Sequence, residues 1–199
     1  MLFTEGSSRP FSAPPLTSIV DLPGHSHLPL RPILDAITGV VPPDGLTYLA
    51  TPINGGSEAS RSSPSSSTAS PFVEANVARA RQLAARIRSE SGEYVFDSTC
   101  FSVHLDWTQD DYIEVCLAIL RAFARRVVFA DGWEYSRGCI SEYLLALSLS
   151  RPCLTASLEP ITYHDGIAAL GTALESNPGS AVAHVQRAAL AQLETDLAS

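Results

Sequence analysis

Residues 125–142 read RRVVFADGWEYSRGCISE, and this stretch decides the fold. The apolar run over 127–130 predicts a strand, the glycine-containing segment 131–135 predicts a turn, and the residues after Ser136 predict an amphipathic helix. Glu142 is a lone carboxylate in the second turn of that helix. Open α/β sheets bind ligands where a parallel strand ends, so this layout predicts a site at that edge of a sheet.

Length, composition and charge limit the function classes. A chain of 199 residues with 45% hydrophobic residues is sufficient for one α/β domain with additional segments. Lys and Arg number 13 against 21 Asp and Glu, so the chain lacks the basic surface that extended nucleic acid requires. No apolar leader and no run of about 18 apolar residues is present, which predicts a cytoplasmic protein without a membrane partner.

The cysteines and histidines do not form a metal-binding pattern. The four cysteines are spaced too irregularly for a C-x-x-C motif, and they are interpreted as reduced, mostly buried thiols. His25 and His27 form a pair without nearby cysteine or carboxylate ligands. We therefore expect no metal ion and no organic cofactor.

Strand and helix patterns alternate through the middle of the chain. This alternation predicts βαβ units and a parallel sheet of four to five strands with helices on both faces. The strands are expected over 46–51, 94–96, 127–130 and 153–156, and the helices between them over 72–89, 108–124 and 137–150.

Three further segments flank or interrupt this core. Residues 1–44 are proline-rich and predict an extended arm with one short helix near 32–37. The α/β domain spans 45–163, and the serine-rich segment 55–71 within it predicts a mobile insertion that resembles a lid. Residues 164–199 predict two helices, over 164–175 and 180–197, that pack on the domain or on a partner subunit.

The turn before Glu142 has the features of an anion site. Ser136 is placed to cap the helix, and the free N–H groups of its first turn attract an anion. Gly138 allows close backbone approach and lies one turn before Glu142, whose ionised form the helix dipole favours. Such a carboxylate can attack an anomeric carbon or stabilise an oxocarbenium ion, or it is simply a solvated helix residue. Trp133 either stacks on a base or anchors the turn by packing.

Two segments together carry a resemblance to a known family. The segments are YLATPI at 48–53 and the pattern G-W-x-x-S-x-G-x-x-x-E at 132–142. Over about residues 46–156 the chain resembles the nucleoside 2-deoxyribosyltransferase-like superfamily. It is most similar to a branch of small domains with that pattern, and next to the deoxynucleoside 5′-monophosphate N-glycosidases.

The resemblance implies a flavodoxin-like sheet and a set of roles. Glu142 takes the position of the family's nucleophile, and Ser136, Arg137 and Gly138 hold a 5′-phosphate. Family members that act on free nucleosides tend to carry an Asp at the position of Ser136. An Asp there would repel a phosphate, so the serine of this chain favours a nucleotide over a free nucleoside. The sugar and base pocket is implied to be lined by Pro52, Ile53, Asn54 and Gly55.

The chain departs from the family in two places. Related sequences carry an Asp, able to protonate the leaving base, where this chain has Cys116, and a thiol is a poor acid at neutral pH. Another donor is then required, from Asp110, Asp111 or Asp131. The second departure is the serine-rich insertion, which interrupts the loop expected to close over the sugar. His104 and Asp106 either reach the same pocket from the loop after the second strand or are ordinary surface-loop residues.

The leading hypothesis is therefore an N-glycosidic-bond hydrolase or transferase acting on a nucleotide or nucleoside, with Glu142 as nucleophile or oxocarbenium stabiliser and Asp131 as a candidate acid. One alternative is a non-catalytic nucleotide-binding module, which Cys116 favours. Another is cleavage of NAD at its nicotinamide bond. The family often builds its site across a subunit interface, which implies a homo-oligomer.

Overall fold

The chain folds as an α/β protein with a four-stranded, all-parallel sheet, as predicted. The computed structural model describes residues 30–53, 71–101 and 107–198. Short 3-10 turns cover Ser98–Phe101 and Trp133–Tyr135. In chain order the other elements are α1 (Leu30–Thr38), β1 (Leu46–Ala50), α2 (Pro71–Ser91), β2 (Tyr94–Asp97), α3 (Gln109–Phe123), β3 (Ala124–Phe129), α4 (Arg137–Ser148), β4 (Cys153–Thr155), α5 (Tyr163–Ser176) and α6 (Ala183–Leu197).

The strand order places a ligand-binding crevice between β1 and β3. The order is β2-β1-β3-β4, which is consistent with a flavodoxin-like fold. The chain runs outward from β1 to β2 and then returns to β3 on the other side of β1. The direction of winding therefore reverses between β1 and β3, and the carboxyl ends of these strands form the switch point where open sheets bind ligands.

Both faces of the sheet are covered by helices. On one face, Leu49 of β1 and Val128 of β3 pack with Ala84 and Ile87 of α2. On the other face, Tyr48 and Phe129 belong to the main core, to which α3 and α4 contribute most of the buried side chains. Alternation along β1 sends Tyr48 towards α4, since successive strand residues point to opposite faces.

Most predicted element boundaries agree with the structure to within two residues, and two elements begin three residues away from the predicted position. β3 begins at Ala124, directly after α3, whereas the apolar pattern begins only at 127. The strand accommodates the charged residues Arg125 and Arg126 near its start because both pair with Glu93 at the amino-terminal end of the sheet. α6 begins at Ala183 rather than Ser180, because residues 180–182 form a turn in which the Ala183 N–H donates to the Ser180 carbonyl.

The flanking helices are part of the same core. The short helix predicted near 32–37 is α1, whose Leu30 and Leu34 are buried with the main core. α5 and α6 pack against each other and contribute Leu170 and Leu193 to that core. The rest of the predicted arm, residues 1–29, and residues 55–70 of the predicted insertion lie outside the described residues. Among the described helices, none has the length and apolar character needed to cross a bilayer.

Candidate active site

Glu142 is buried and held by a tyrosine from the neighbouring strand. Its side chain is on α4 and only 5% of the residue is exposed. The Tyr48 hydroxyl, from β1, donates a hydrogen bond of 2.7 Å to Glu142 Oε1. Burial raises the pKa of Tyr48 well above its ordinary value, so the phenol stays protonated and remains a donor. The interaction fixes the carboxylate at the switch point between the two central strands.

The protonation state of Glu142 differs from the prediction. The helix dipole favours the ionised form, but burial opposes it more strongly and raises the pKa of Glu142 from 4.5 to about 7. Hydrogen bonds from Tyr48 and Cys139 pull the pKa down and limit this rise. Glu142 is therefore a carboxyl group that is neither fully ionised nor fully protonated at neutral pH.

Glu142 lines a cavity of about 380 Å³ at the carboxyl ends of β1 and β3. This volume lies in the range of small-molecule sites, roughly 300–1,000 Å³. The first turns of several helices contribute to its wall, which places the positive ends of their dipoles around it. The lining residues are Thr51, Ile53, Val73, Ser98, Gln109, Tyr112, Ile113, Cys116, Tyr135, Ser136, Arg137, Gly138, Cys139, Glu142, Ala181 and Val182.

The predicted anion turn forms one wall of this cavity. Ser136 caps α4 as predicted, and its Oγ accepts from the Cys139 N–H at 3.5 Å. Arg137 also lines the cavity and pairs with the exposed Asp110 carboxylate. A Cβ added at Gly138 would meet only ordinary contacts, 3.6 Å from Ile113 and 3.9 Å from Ser136 Oγ. The packing of the protein therefore does not require a glycine at this position. The absence of a side chain leaves open space in the cavity.

The structure does not bring every predicted site residue to the cavity. Asp131 is exposed and does not line it. Trp133 is buried and its ring lies 4.7 Å from that of Tyr143 and 5.2 Å from that of Phe129, so it anchors the turn rather than presenting a face to a base. Pro52 is buried outside the lining, whereas Ile53 belongs to it. Asn54, Gly55, His104 and Asp106 lie outside the described residues.

The other candidate proton donors have structural partners. Asp111 is buried, and its carboxylate accepts from both the Thr108 N–H and the Thr108 hydroxyl at 2.7 Å, in a capping box at the start of α3. Asp110 pairs with Arg137. In the part of the chain that the structure describes, Glu142 is the one carboxylate in the cavity wall.

Two buried thiols lie beside Glu142. Cys116 and Cys139 line the cavity, and both interact electrostatically with Glu142. Burial raises the pKa of each thiol well above its ordinary value. Both thiols are therefore neutral near pH 7, and neither gives up a proton readily there.

Several residues of the site had no predicted role. Tyr48 does not line the cavity but holds Glu142; it was part of the resemblance motif, but this contact spans 94 positions in the sequence and no local pattern indicates it. Thr51 and Tyr135 adjoin motif residues that were assigned to the site. Ala181 and Val182 reach the cavity from the turn that precedes α6, in a segment without a recognisable chemical motif.

Comparisons of the chain with models of protein families, with curated proteins and with solved structures found no match.

Proposed function

We propose that this protein cleaves or transfers the N-glycosidic bond of a nucleotide or nucleoside, with Glu142 as the group that acts on the sugar. The observation that carries the proposal is a buried carboxylate, fixed by a tyrosine hydroxyl, inside a cavity at the switch point of a parallel sheet. A carboxylate in such surroundings interacts strongly with developing positive charge.

The bond changes follow from the position of Glu142. The bond between the anomeric carbon and the base nitrogen breaks, and its electron pair remains on the base. The Glu142 carboxylate either forms a bond to the anomeric carbon or stabilises the oxocarbenium ion. Water, or an acceptor molecule, then adds to that carbon. Where Glu142 has formed a covalent bond, this addition breaks it and restores the carboxylate, and the proton released by the water or the acceptor passes to the departed base. Tyr48 acts as a positioning residue because it holds one carboxylate oxygen in place.

The anion turn supports a phosphate on the substrate. The first turn of α4 offers backbone N–H groups, and Arg137 supplies a cation at the same wall. A 5′-phosphate there would lie about one helical turn from Glu142, because residues 138 and 142 are four apart in α4. This spacing supports a nucleoside 5′-monophosphate as the first substrate to examine.

A second candidate is cleavage of a nicotinamide riboside linkage, as in NAD. A leaving purine or pyrimidine needs a proton, and the described cavity wall contains no carboxylic acid besides Glu142. Nicotinamide leaves a cationic linkage as a neutral molecule, so its departure needs no proton donor. A binding module without turnover is the third candidate, which the neutral thiol of Cys116 favours.

The experiment is a screen for released base. The full chain is incubated with ribonucleoside and deoxyribonucleoside 5′-monophosphates, the corresponding nucleosides, and NAD, and free bases are separated by chromatography. We expect release from at least one of these substrates and loss of release in Glu142→Gln.

Glu134→Gln is the matched control. Glu134 lies in the neighbouring turn and is partly buried, but it does not line the cavity. This variant should keep the wild-type rate. Release that persists in Glu142→Gln would reject the mechanism, and calorimetric binding of a nucleotide without release from any substrate would identify the binding module instead.

A further inference from the structure

Arg137 is the one cation that lines the cavity in the described part of the chain. It is the first residue of α4, directly after the capping Ser136. Its side chain is 38% exposed, so a ligand has access to it, and it forms an ion pair with Asp110. A carboxylate engages two N–H donors of a guanidinium at most, and the others remain available to an anion.

Asp110 holds this side chain from the neighbouring helix. It lies in the first turn of α3, where Gln109 before it and Tyr112 after it both line the cavity, whereas Asp110 itself does not. A Cβ added at Gly138 would lie 3.6 Å from Cγ1 of Ile113, so the first turns of α3 and α4 lie side by side. The ion pair therefore joins the two helices at the cavity wall, with its carboxylate outside the lining.

The adjacent aspartate, and not Asp110, caps α3. Asp111 is buried and accepts from the N–H and the hydroxyl of Thr108 in the capping box. Asp110 instead extends to Arg137, with 65% of its side chain exposed. Exposed ion pairs contribute little to stability. Removal of the Asp110 carboxylate should therefore leave the fold intact, so its effect on the cavity is measurable.

We propose that Asp110 is a positioning residue, which holds the Arg137 guanidinium at the anion turn so that its remaining N–H donors meet the 5′-phosphate of the substrate. This inference rests on the proposed function, which places a phosphate at that turn. An unrestrained arginine loses rotamer freedom when it binds an anion, and the restraint by Asp110 removes part of this cost before the substrate arrives. The repulsion between Asp110 and the phosphate is the smaller effect, because water screens an exposed carboxylate.

The test compares a nucleoside 5′-monophosphate that the wild type cleaves with the same nucleoside, used as a substrate or as a competitive inhibitor. We expect Asp110→Ala to raise KM for the monophosphate at least about fivefold, with kcat within about twofold of the wild type. The affinity for the nucleoside should change less than about twofold. Asp110→Asn keeps the shape and an acceptor oxygen and should recover most of the loss. An unchanged or lower KM in Asp110→Ala, or an equal loss for the nucleoside, would overturn the proposal.

A double-mutant cycle with Arg137→Met shows whether Asp110 acts through Arg137. In the Arg137→Met background, Asp110→Ala should change KM less than about twofold, because no guanidinium remains to be held. The same loss in both backgrounds would overturn the proposal. Asp35→Ala is the matched control: it removes the carboxylate of another exposed ion pair, with Arg31 on α1, and changes the net charge equally. Since α1 does not line the cavity, KM should stay at the wild-type value.

Failure of the proposed function is distinguished by a binding measurement. If the wild type releases no base from any nucleotide, calorimetry with ribose 5-phosphate replaces the rate assay. Binding that weakens at least about fivefold in Asp110→Ala, and less than about twofold in Asp110→Asn, would support the positioning of Arg137 at a phosphate without catalysis. Equal binding by the wild type and Asp110→Ala, or no binding by the wild type, would overturn it. Base release with an unaltered KM in Asp110→Ala would reject this inference alone.

Discussion

At the residue scale, the burial of Glu142 gives the free protein a characteristic dependence of stability on pH. The folded pKa is about 7 against an ordinary value of 4.5. Below pH 4.5 the group is protonated in both states. Between 4.5 and 7 the unfolded chain releases this proton while the folded protein keeps it, so the free energy of unfolding falls as the pH rises. Above pH 7 Glu142 becomes ionised in the folded protein as well, and its titration then no longer changes the free energy of unfolding.

Glu142→Gln removes this loss, because a neutral amide has no proton to release. We expect the variant to be more stable than the wild type at pH 8 by up to about 3 kcal/mol, and the difference to shrink as the pH falls towards 4.5. Urea unfolding of both proteins at several pH values measures it. A difference that is constant over this range would show that Glu142 has an ordinary pKa.

Gly138→Ala should separate stability from ligand binding. Alanine is favoured over glycine inside a helix by about 1 kcal/mol, and the added Cβ meets only ordinary contacts in the protein. The melting temperature should therefore rise. The same Cβ occupies space at the anion turn, so the affinity for a nucleoside 5′-monophosphate should fall at least about tenfold, measured by calorimetry. Unchanged affinity would place the phosphate elsewhere.

At this scale the sequence predicts local roles better than long-range contacts. The cap at Ser136 and its spacing to Glu142 follow from a few adjacent residues, and the structure confirms the cap. The partnership of Tyr48 with Glu142 depends on how β1 and α4 pack, and the buried position of Trp133 depends on Tyr143 and Phe129. The pKa of Glu142 was misjudged because the dipole is visible in the sequence whereas burial is not.

At the element scale, α6 supports the turn that carries the site. Gln186 is fully buried on α6, and its Nε2 donates to the Glu134 carbonyl at 2.8 Å, just before Ser136. This contact connects the C-terminal helix to the start of α4. Because Val182 at the start of α6 also lines the cavity, the helix contributes to the site in two ways.

Gln186→Met should loosen this turn. It leaves the Glu134 carbonyl without its donor, and we expect a loss of stability of about 1–3 kcal/mol together with a raised KM for phosphate-bearing substrates. Gln192→Met, on the exposed side of the same helix, is the control and should change neither quantity. A raised KM in both variants would argue against a specific role of Gln186.

Helices and strands could be predicted where hydrophobic residues recur at a regular spacing without interruption. α3 and its cap at Thr108 follow the sequence pattern, and so does the short strand β4. β3 was predicted too short because Arg125 and Arg126 are charged strand residues, stabilised by pairing with Glu93 from a distant segment. Tertiary pairing of this kind overrides the local pattern.

At the scale of the whole molecule, the terminal helices and the sheet share one core. Leu193 of α6 is 1% exposed and belongs to the same buried cluster as Tyr48 and Phe129. The predicted boundary before residue 164 therefore marks a change of element rather than a separate folding unit. The sequence could not settle this, because an amphipathic helix packs equally well on its own domain or on a partner.

Leu193→Ala tests whether the terminal helices and the sheet unfold together. We expect a loss of about 2–5 kcal/mol, and the variant and the wild type should each unfold in a single transition when followed by circular dichroism and by tryptophan fluorescence. Trp107 and Trp133 report on the α/β part of the chain, whereas circular dichroism also reports on the terminal helices. Two separate transitions would show that α5 and α6 fold independently.

The central claim is that Glu142 acts on a glycosidic bond, and kcat/KM for base release at pH 8 tests it most directly. For the nucleotide that the wild type cleaves best, Glu142→Gln should lower kcat/KM by at least about 10³-fold while Glu134→Gln stays within about twofold of the wild type. A loss of less than about tenfold in Glu142→Gln, in a protein that remains folded, would contradict the claim.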